Sequence, residues 1–178
     1  MAHITLPEFS DMTPKIQEMV KPMLEKSGAL DETTRLLALR EDIFFATTNM
    51  VSAYLLAKTE LPFSTKERIA LLVSIENTCK ICVNAHKTLS RRLGMSEEQI
   101  EQVMVGIDSI DCEERERLLL KLCLRASGKD SYKILKSDID AVRNAGYSDT
   151  QIFEAVAITG YFNYINTISN VFGLEDEA

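Results

Sequence analysis

The chain has 178 residues, 46% of them hydrophobic, with seven glycines and four prolines. That suffices for one globular domain with a substantial core, and leaves little room for linkers or low-complexity segments. Twenty-seven acidic against twenty basic residues give a net charge of −7, which argues against a nucleic-acid or anionic-membrane partner. No stretch approaches the roughly 20 apolar residues of a membrane span, and the first residues lack the basic start and apolar run of a signal segment. A cytoplasmic protein is expected. In that compartment a C-x-x-C pair is more often redox-active or metal-binding than a structural disulfide.

The hydrophobic pattern is helical almost throughout, so an all-α chain is predicted. Thr13-Pro14 opens a first helix with proline at its first position, Gly28 stops it, and Pro22 inside is expected to kink it. A second helical region runs from Asp31 to Lys58 and breaks near Arg40-Glu41-Asp42. Leu61-Pro62-Phe63 is a connector, and Ser64-Thr65-Lys66-Glu67 spells a capping box for a helix through Leu71, Leu72 and Ile75. Thr78 is expected to cap the next helix, which Gly94 ends. Ser96-Glu97-Glu98-Gln99 is another capping box, opening a helix that carries Ile100, Val103 and Met104. Helices then follow from Asp111 to Ala126 and from Ser137 to Asn144, and the last runs from Ser148-Asp149-Thr150-Gln151 to Phe172. The segments Gly94-Met95-Ser96-Glu97-Glu98-Gln99-Ile100 and Gly146-Tyr147-Ser148-Asp149-Thr150-Gln151-Ile152 match each other, which points to one supersecondary unit occurring twice.

The chemistry concentrates in Cys79-Lys80-Ile81-Cys82-Val83-Asn84-Ala85-His86, a C-x-x-C-x-x-x-H pattern. On a helix these thiols and the imidazole fall within about 60° of one another. A thiol reacts as thiolate, and two features favour that form. Cys79 sits at the predicted helix N-terminus, where free N–H groups stabilise negative charge, and Cys82 has His86 one turn on as a base. The base decides for Cys82, because an exposed dipole effect is worth only about 0.3–1 kcal/mol. If the chain reverses near Asn77, Glu67 and His86 come level across an antiparallel helix pair. Glu67 then has two readings, a helix cap or a carboxylate that orients the imidazole.

The pair Cys79 and Cys82 has three readings: a redox dithiol, buried small hydrophobes, or zinc ligands with His86. Zinc needs a fourth ligand from elsewhere, and the chain has no second C-x-x-C or H-x-x-x-H pair. Cys112 and Cys123, eleven residues apart on one expected helix face, read as core packing. His3 reads as a solvated terminal residue and Glu113-Glu114-Arg115-Glu116-Arg117 as an exposed, internally paired helix face. Tyr161, Phe162, Tyr164 and Phe172 read as core or subunit-interface residues, while Asn163 and Asn166 are candidates for lining a pocket.

Glu67, then Cys79, Cys82 and His86, resembles the E-x(11)-C-x-x-C-x-x-x-H motif of the alkylhydroperoxidase AhpD-like proteins in the carboxymuconolactone decarboxylase superfamily. Lys66-Glu67-Arg68-Ile69-Ala70 before the site and Arg91-Arg92-Leu93-Gly94-Met95-Ser96 after it are similar too, and Tyr161-Phe162-Asn163-Tyr164-Ile165-Asn166 resembles the peroxidase-related branch. The resemblance implies an AhpD-like helical bundle over residues 31–178, preceded by an N-terminal helical extension over 1–30. It implies thiol-dependent hydroperoxide reduction, with Cys82 peroxidatic, Cys79 resolving, and Glu67 with His86 as proton relay. The substrate is then a small organic hydroperoxide or hydrogen peroxide, and a dithiol or lipoyl-type protein returns the disulfide to thiols; no metal or flavin is required. One residue departs from the pattern: some alkylhydroperoxidases carry an extra histidine just before the second cysteine, where this chain has Ile81. The alternatives are a non-catalytic redox switch or dithiol oxidoreductase, and a zinc-binding module.

The last helix carries Phe153, Val156, Ile158, Tyr161, Phe162, Ile165, Ile168 and Val171 over more than one face. One domain covers one stripe, so a homo-oligomer is expected; its count, a trimer or a hexamer, is what the family resemblance implies.

Overall fold

A computed structural model describes residues 2–175. Among them the backbone forms α-helices α1 (Pro14–Ser27), α2 (Glu32–Leu37), α3 (Glu41–Val51), α4 (Phe63–Glu76), α5 (Lys80–Arg92), α6 (Glu97–Val105), α7 (Glu114–Ser127), α8 (Lys136–Asn144) and α9 (Asp149–Val171), and no strand. The expected all-α architecture is what the chain adopts. None of these helices is long and apolar enough to cross a membrane.

Local chemistry accounts for most boundaries. Pro14 opens α1, and Gly28 closes it in the left-handed region at φ 79°. Ser96 and Ser148 both form complete capping boxes with Gln99 and Gln151, at the same backbone angles of φ −71° and ψ 159°. Each follows a glycine at positive φ, Gly94 at 94° and Gly146 at 102°. The sequence echo is therefore a repeated structural joint, and the helix order α4-α5-α6 returns as α7-α8-α9.

Three expected helix starts fail, each for a physical reason. Helix α4 starts at Phe63 with Pro62 as its cap, so Ser64 and Glu67 already lie inside the helix and form no capping box. Proline presets the φ that a helix entry needs, and it does so before Ser64 is reached. Thr78 does not cap α5 either: it sits at φ 55°, and Cys79 takes the cap position. That left-handed angle is costly for a β-branched residue, and hydrogen bonds to α9 hold the turn. Asn77 Nδ2 donates to Asn163 Oδ1 (2.8 Å) and Asn166 Oδ1 (3.0 Å), while Asn170 Nδ2 donates to the Asn77 carbonyl (2.8 Å). The two candidate pocket asparagines thus serve this turn instead. Lastly, α7 begins at Glu114, so Cys112 precedes the helix and does not share a helix face with Cys123.

Helix α4 is the axis of the molecule. Every residue from Thr65 to Ser74 is buried, with α5, α6, α7 and α9 packed around it. Three consecutive charges lie in that stretch, and each has its own partner. Lys66 Nζ meets Glu154 Oε1 of α9 at 2.7 Å and donates to the Ala57 carbonyl at 3.0 Å. Glu67 turns toward α5. Arg68 pairs with Glu116 of α7 at 2.7 Å, and Thr65 donates to the other oxygen of the same carboxylate. Glu116 therefore faces inward rather than lying on an exposed helix face. His3, exposed at the chain start, is tied down by its Nδ1 to the Val171 carbonyl at 3.0 Å.

The Lys66 side chain is 1% exposed and that of Glu154 12%, so breaking the pair strands a charge. Glu154→Gln is expected to lower stability by about 3 kcal/mol. The double variant K66M/E154L is expected to recover most of that loss, since matched apolar residues replace a buried pair at little cost. Urea unfolding of the two variants beside the parent chain checks both expectations.

Candidate functional site

Helices α4 and α5 run antiparallel through the Asn77–Thr78 turn, and this brings Glu67 level with His86. The His86 Nδ1–H donates to Glu67 Oε2 at 2.8 Å, and Ser90 Oγ adds a second hydrogen bond to the same oxygen at 3.3 Å. The Glu67 side chain is only 2% exposed and that of His86 14%. The ring stands edge-on to Phe162 of α9, with centroids 4.8 Å apart. With Nδ1 committed to the carboxylate, the hydrogen bond assigns the tautomer that leaves Nε2 as proton acceptor.

Cys79 and Cys82 are joined as a disulfide. Both lie in an apolar cluster with Leu6, Leu36, Ile81 and Leu174, which brings the two chain ends over the pair. Their exposure differs. Cys79 is fully buried at 0%, whereas Cys82 at 7% lines a cavity of about 260 Å³. Ser169 Oγ of α9 lies 3.8 Å from Cys82 Sγ, placed to donate to a thiolate there. The cavity is walled by Asp31 and Thr33 at the start of α2, by Ile81, Ala85 and His86 of α5, and by Tyr161, Phe162 and Ile165 of α9.

All four residues expected from sequence thus meet in one place: a buried carboxylate holds an imidazole, and imidazole and Cys82 share one cavity with Cys79 bonded behind. Among the described residues no group of three or more His, Cys, Asp and Glu side chains could hold a metal ion. Cys123 lies apart, 1% exposed, and burial pushes its thiol up to about 12. Burial also raises the Cys112 thiol.

Sequence reasoning did not find Ser90, Ser169, Asp31, Thr33 or the role of Tyr161. Ser90 had a local signal, because it is one turn beyond His86 on the same helix face. The others come from segments far off in the chain and carried none. Tyr161, read as core or interface, is buried but also faces the cavity.

Residues 43–123 match the model of the carboxymuconolactone decarboxylase family. No curated protein matches the chain. Among solved structures, an uncharacterized peroxidase-related protein from Ralstonia eutropha JMP134, an alkylhydroperoxidase AhpD core, is 26% identical with a TM-score of 0.89, over 99% of this chain and 92% of that one. An uncharacterized peroxidase-related protein from Silicibacter sp. TM1040 is 24% identical at the same TM-score, over 99% and 92% of the two chains. The debrominase Bmp8, solved with 2,3,4-tribromopyrrole, shares the fold at 18% identity and a TM-score of 0.82, over 100% of this chain and 95% of its own. The stretch at 43–123 that matches the carboxymuconolactone decarboxylase family contains Glu67, the cysteine pair and His86, and the fold around it is similar to that of an alkylhydroperoxidase AhpD core.

Proposed function

We propose that the protein is a thiol-dependent hydroperoxide reductase, with Cys82 as the peroxidatic thiol, Cys79 as the resolving thiol, and Glu67–His86 as the proton relay. The observation that supports this most is the 2.8 Å bond from His86 to a carboxylate 2% exposed, beside the cavity that Cys82 lines. A histidine so oriented takes a proton from a thiol one turn away and keeps it for the leaving group. The fully buried Cys79 supports the assignment of attack to Cys82.

The cycle balances as follows. His86 Nε2 accepts the Cys82 proton, and the thiolate attacks the terminal oxygen of ROOH. The S–O bond forms as the O–O bond breaks, and the departing RO⁻ takes the proton from His86 to leave as ROH. Cys82 is now a sulfenic acid. The Cys79 thiol condenses with it, forming the disulfide and releasing water. A dithiol reductant, on a small molecule or a protein-borne lipoyl-type arm, then returns both thiols and is itself oxidised. With Ile81 lining the cavity where some relatives carry a histidine, the relay has two members.

Peroxide consumption with dithiothreitol as reductant tests the reading. Cys82→Ser is expected to abolish turnover, and Cys79→Ser, given peroxide after the dithiothreitol is removed, to consume one equivalent and hold a dimedone-reactive sulfenic acid. His86→Ala is expected to lower kcat/KM by about 100-fold. Undiminished turnover in both cysteine variants would refute the proposal. Stoichiometric oxidation without turnover in the parent chain would instead favour a redox switch.

Accessibility gives a second expectation. A thiol pushed up to about 12 stays protonated at pH 8, and only the thiolate alkylates. Brief iodoacetamide treatment of the reduced, folded protein at pH 8 is therefore expected to modify Cys82 first and to leave Cys123 unmodified, read by peptide mass. Labelling of Cys123 ahead of Cys82 would contradict it.

Assembly belongs to the same reading. Phe153 on α9 is 73% exposed and Val171 61%, and neighbouring subunits are the simplest cover for such residues. A trimer or hexamer is expected by light scattering at micromolar concentration. A mass of 20.0 kDa, that of one chain, would count against it.

A further inference from the structure

The cavity that Cys82 lines does not end at the reactive groups. A second cavity, also of about 260 Å³, adjoins it and shares Thr33, Tyr161 and Ile165 as walls. Its remaining walls come from Met19, Val20 and Met23 of α1, from Thr34 and Leu37 of α2, and from Phe44, Thr47, Thr48 and Val51 of α3. Three of its threonine hydroxyls are already used. Thr34 donates to Asp31 Oδ2, Thr47 bonds the Tyr164 hydroxyl, and Thr48 donates to the Phe44 carbonyl. What faces an occupant is therefore mostly methyl, methylene and ring surface.

Tyr161 stands at the junction. It is 7% exposed, its ring packs edge-on against Phe162 and Tyr54, and it lines both cavities. Its neighbour Tyr164 bonds Thr47 at 3.1 Å, yet among the described residues the Tyr161 hydroxyl makes no hydrogen bond. Arg68 Nε, not this phenol, is the buried side-chain atom left without a partner among the described residues, so the Tyr161 hydroxyl keeps access and is open to an occupant. Burial pushes its ionisation up to about 12, so it remains an O–H donor throughout the working range of a thiol enzyme.

We propose that Tyr161 anchors a neutral organic hydroperoxide across the two cavities, donating its O–H to the alkoxy oxygen while the apolar group of the substrate fills the recess under α1. This rests on the hydroperoxide reading above. Each cavity alone falls short of the roughly 300–1,000 Å³ of small-molecule sites, and the pair falls within that range. Hydrogen peroxide needs only the first. The Asp31 carboxylate on the wall of the reactive cavity disfavours an anionic substrate, and the net charge of −7 points the same way. The phenol transfers no proton in this scheme. It steadies the oxygen on which charge develops, and His86 supplies the proton.

The test compares kcat/KM for cumene hydroperoxide and for hydrogen peroxide with one dithiol reductant. The parent chain is expected to favour cumene hydroperoxide at least tenfold. That preference is expected to fall about tenfold in Tyr161→Phe, which removes the donor. It is expected to fall about tenfold in Met23→Trp as well, which fills the recess mouth from a side chain 47% exposed and so tolerant of change. An unchanged preference in both variants overturns the proposal, and so does an unchanged preference accompanied by an altered mass of Met23→Trp in light scattering, which would make the recess a subunit contact. If the parent chain consumes neither peroxide, the peroxidase reading fails and binding decides the subsite. Calorimetric titration with cumyl alcohol is then expected to show binding to the parent chain and about tenfold weaker binding to both variants, and absence of binding to the parent chain overturns it.

Discussion

Burying α4 on every side is the constraint from which the site follows. A helix with no solvent face cannot carry Lys66, Glu67 and Arg68 in sequence unless each charge meets a partner, since an unpaired buried charge costs several kcal/mol. Successive side chains on a helix point about 100° apart, so the three partners must come from three different neighbours. They do: Glu154 from α9, His86 from α5 and Glu116 from α7. The same arithmetic that satisfies the charges fixes the rotation of α4 about its axis. The orientation of the imidazole is thereby tied to the packing of the whole bundle, not to a flexible local contact.

The turn after α4 carries the second half of the arrangement. Thr78 holds a left-handed backbone that a threonine does not choose, and three asparagines of α9 bond around Asn77 beside it. Backbone strain persists only where surrounding structure over-determines it. Here the over-determining element is the same helix that supplies Tyr161, Phe162 and Ser169 to the site. Helix α9 thus faces both cysteines and the imidazole, and it links the strained turn to the cavity wall.

Much of this was legible in the residue order because helix joints and i, i+4 neighbours are local. Gly28, the boxes at Ser96 and Ser148, and the level placing of Glu67 and His86 across a short turn all follow from spacing alone. The capping box at Ser64 misled because Pro62, two residues earlier, satisfies the same need by another means. Thr78 misled because its conformation is imposed by Asn163, Asn166 and Asn170, some 90 residues away in the chain. The wall formed by Asp31, Thr33 and Tyr161 depends on how α2 and α9 pack against α5, and nothing in the order of those residues records it. Where a contact joins distant segments through side chains of ordinary type, a single sequence holds no trace of it.

The two sulfurs lie only three positions apart along the chain, and that has a consequence for the energetics of a redox cycle. A crosslink stabilises a fold chiefly by restricting the unfolded chain, and its contribution grows with the length of the loop it closes. A loop this short removes little conformational freedom, placing it toward the low end of the range of about 0–5 kcal/mol. Oxidised and reduced chains therefore differ little in the cohesion of the bundle. On the proposed reading, the helices act as a passive frame for the exchange of electrons at the cysteine pair, and no part of the scaffold has to unfold and reform in the cycle.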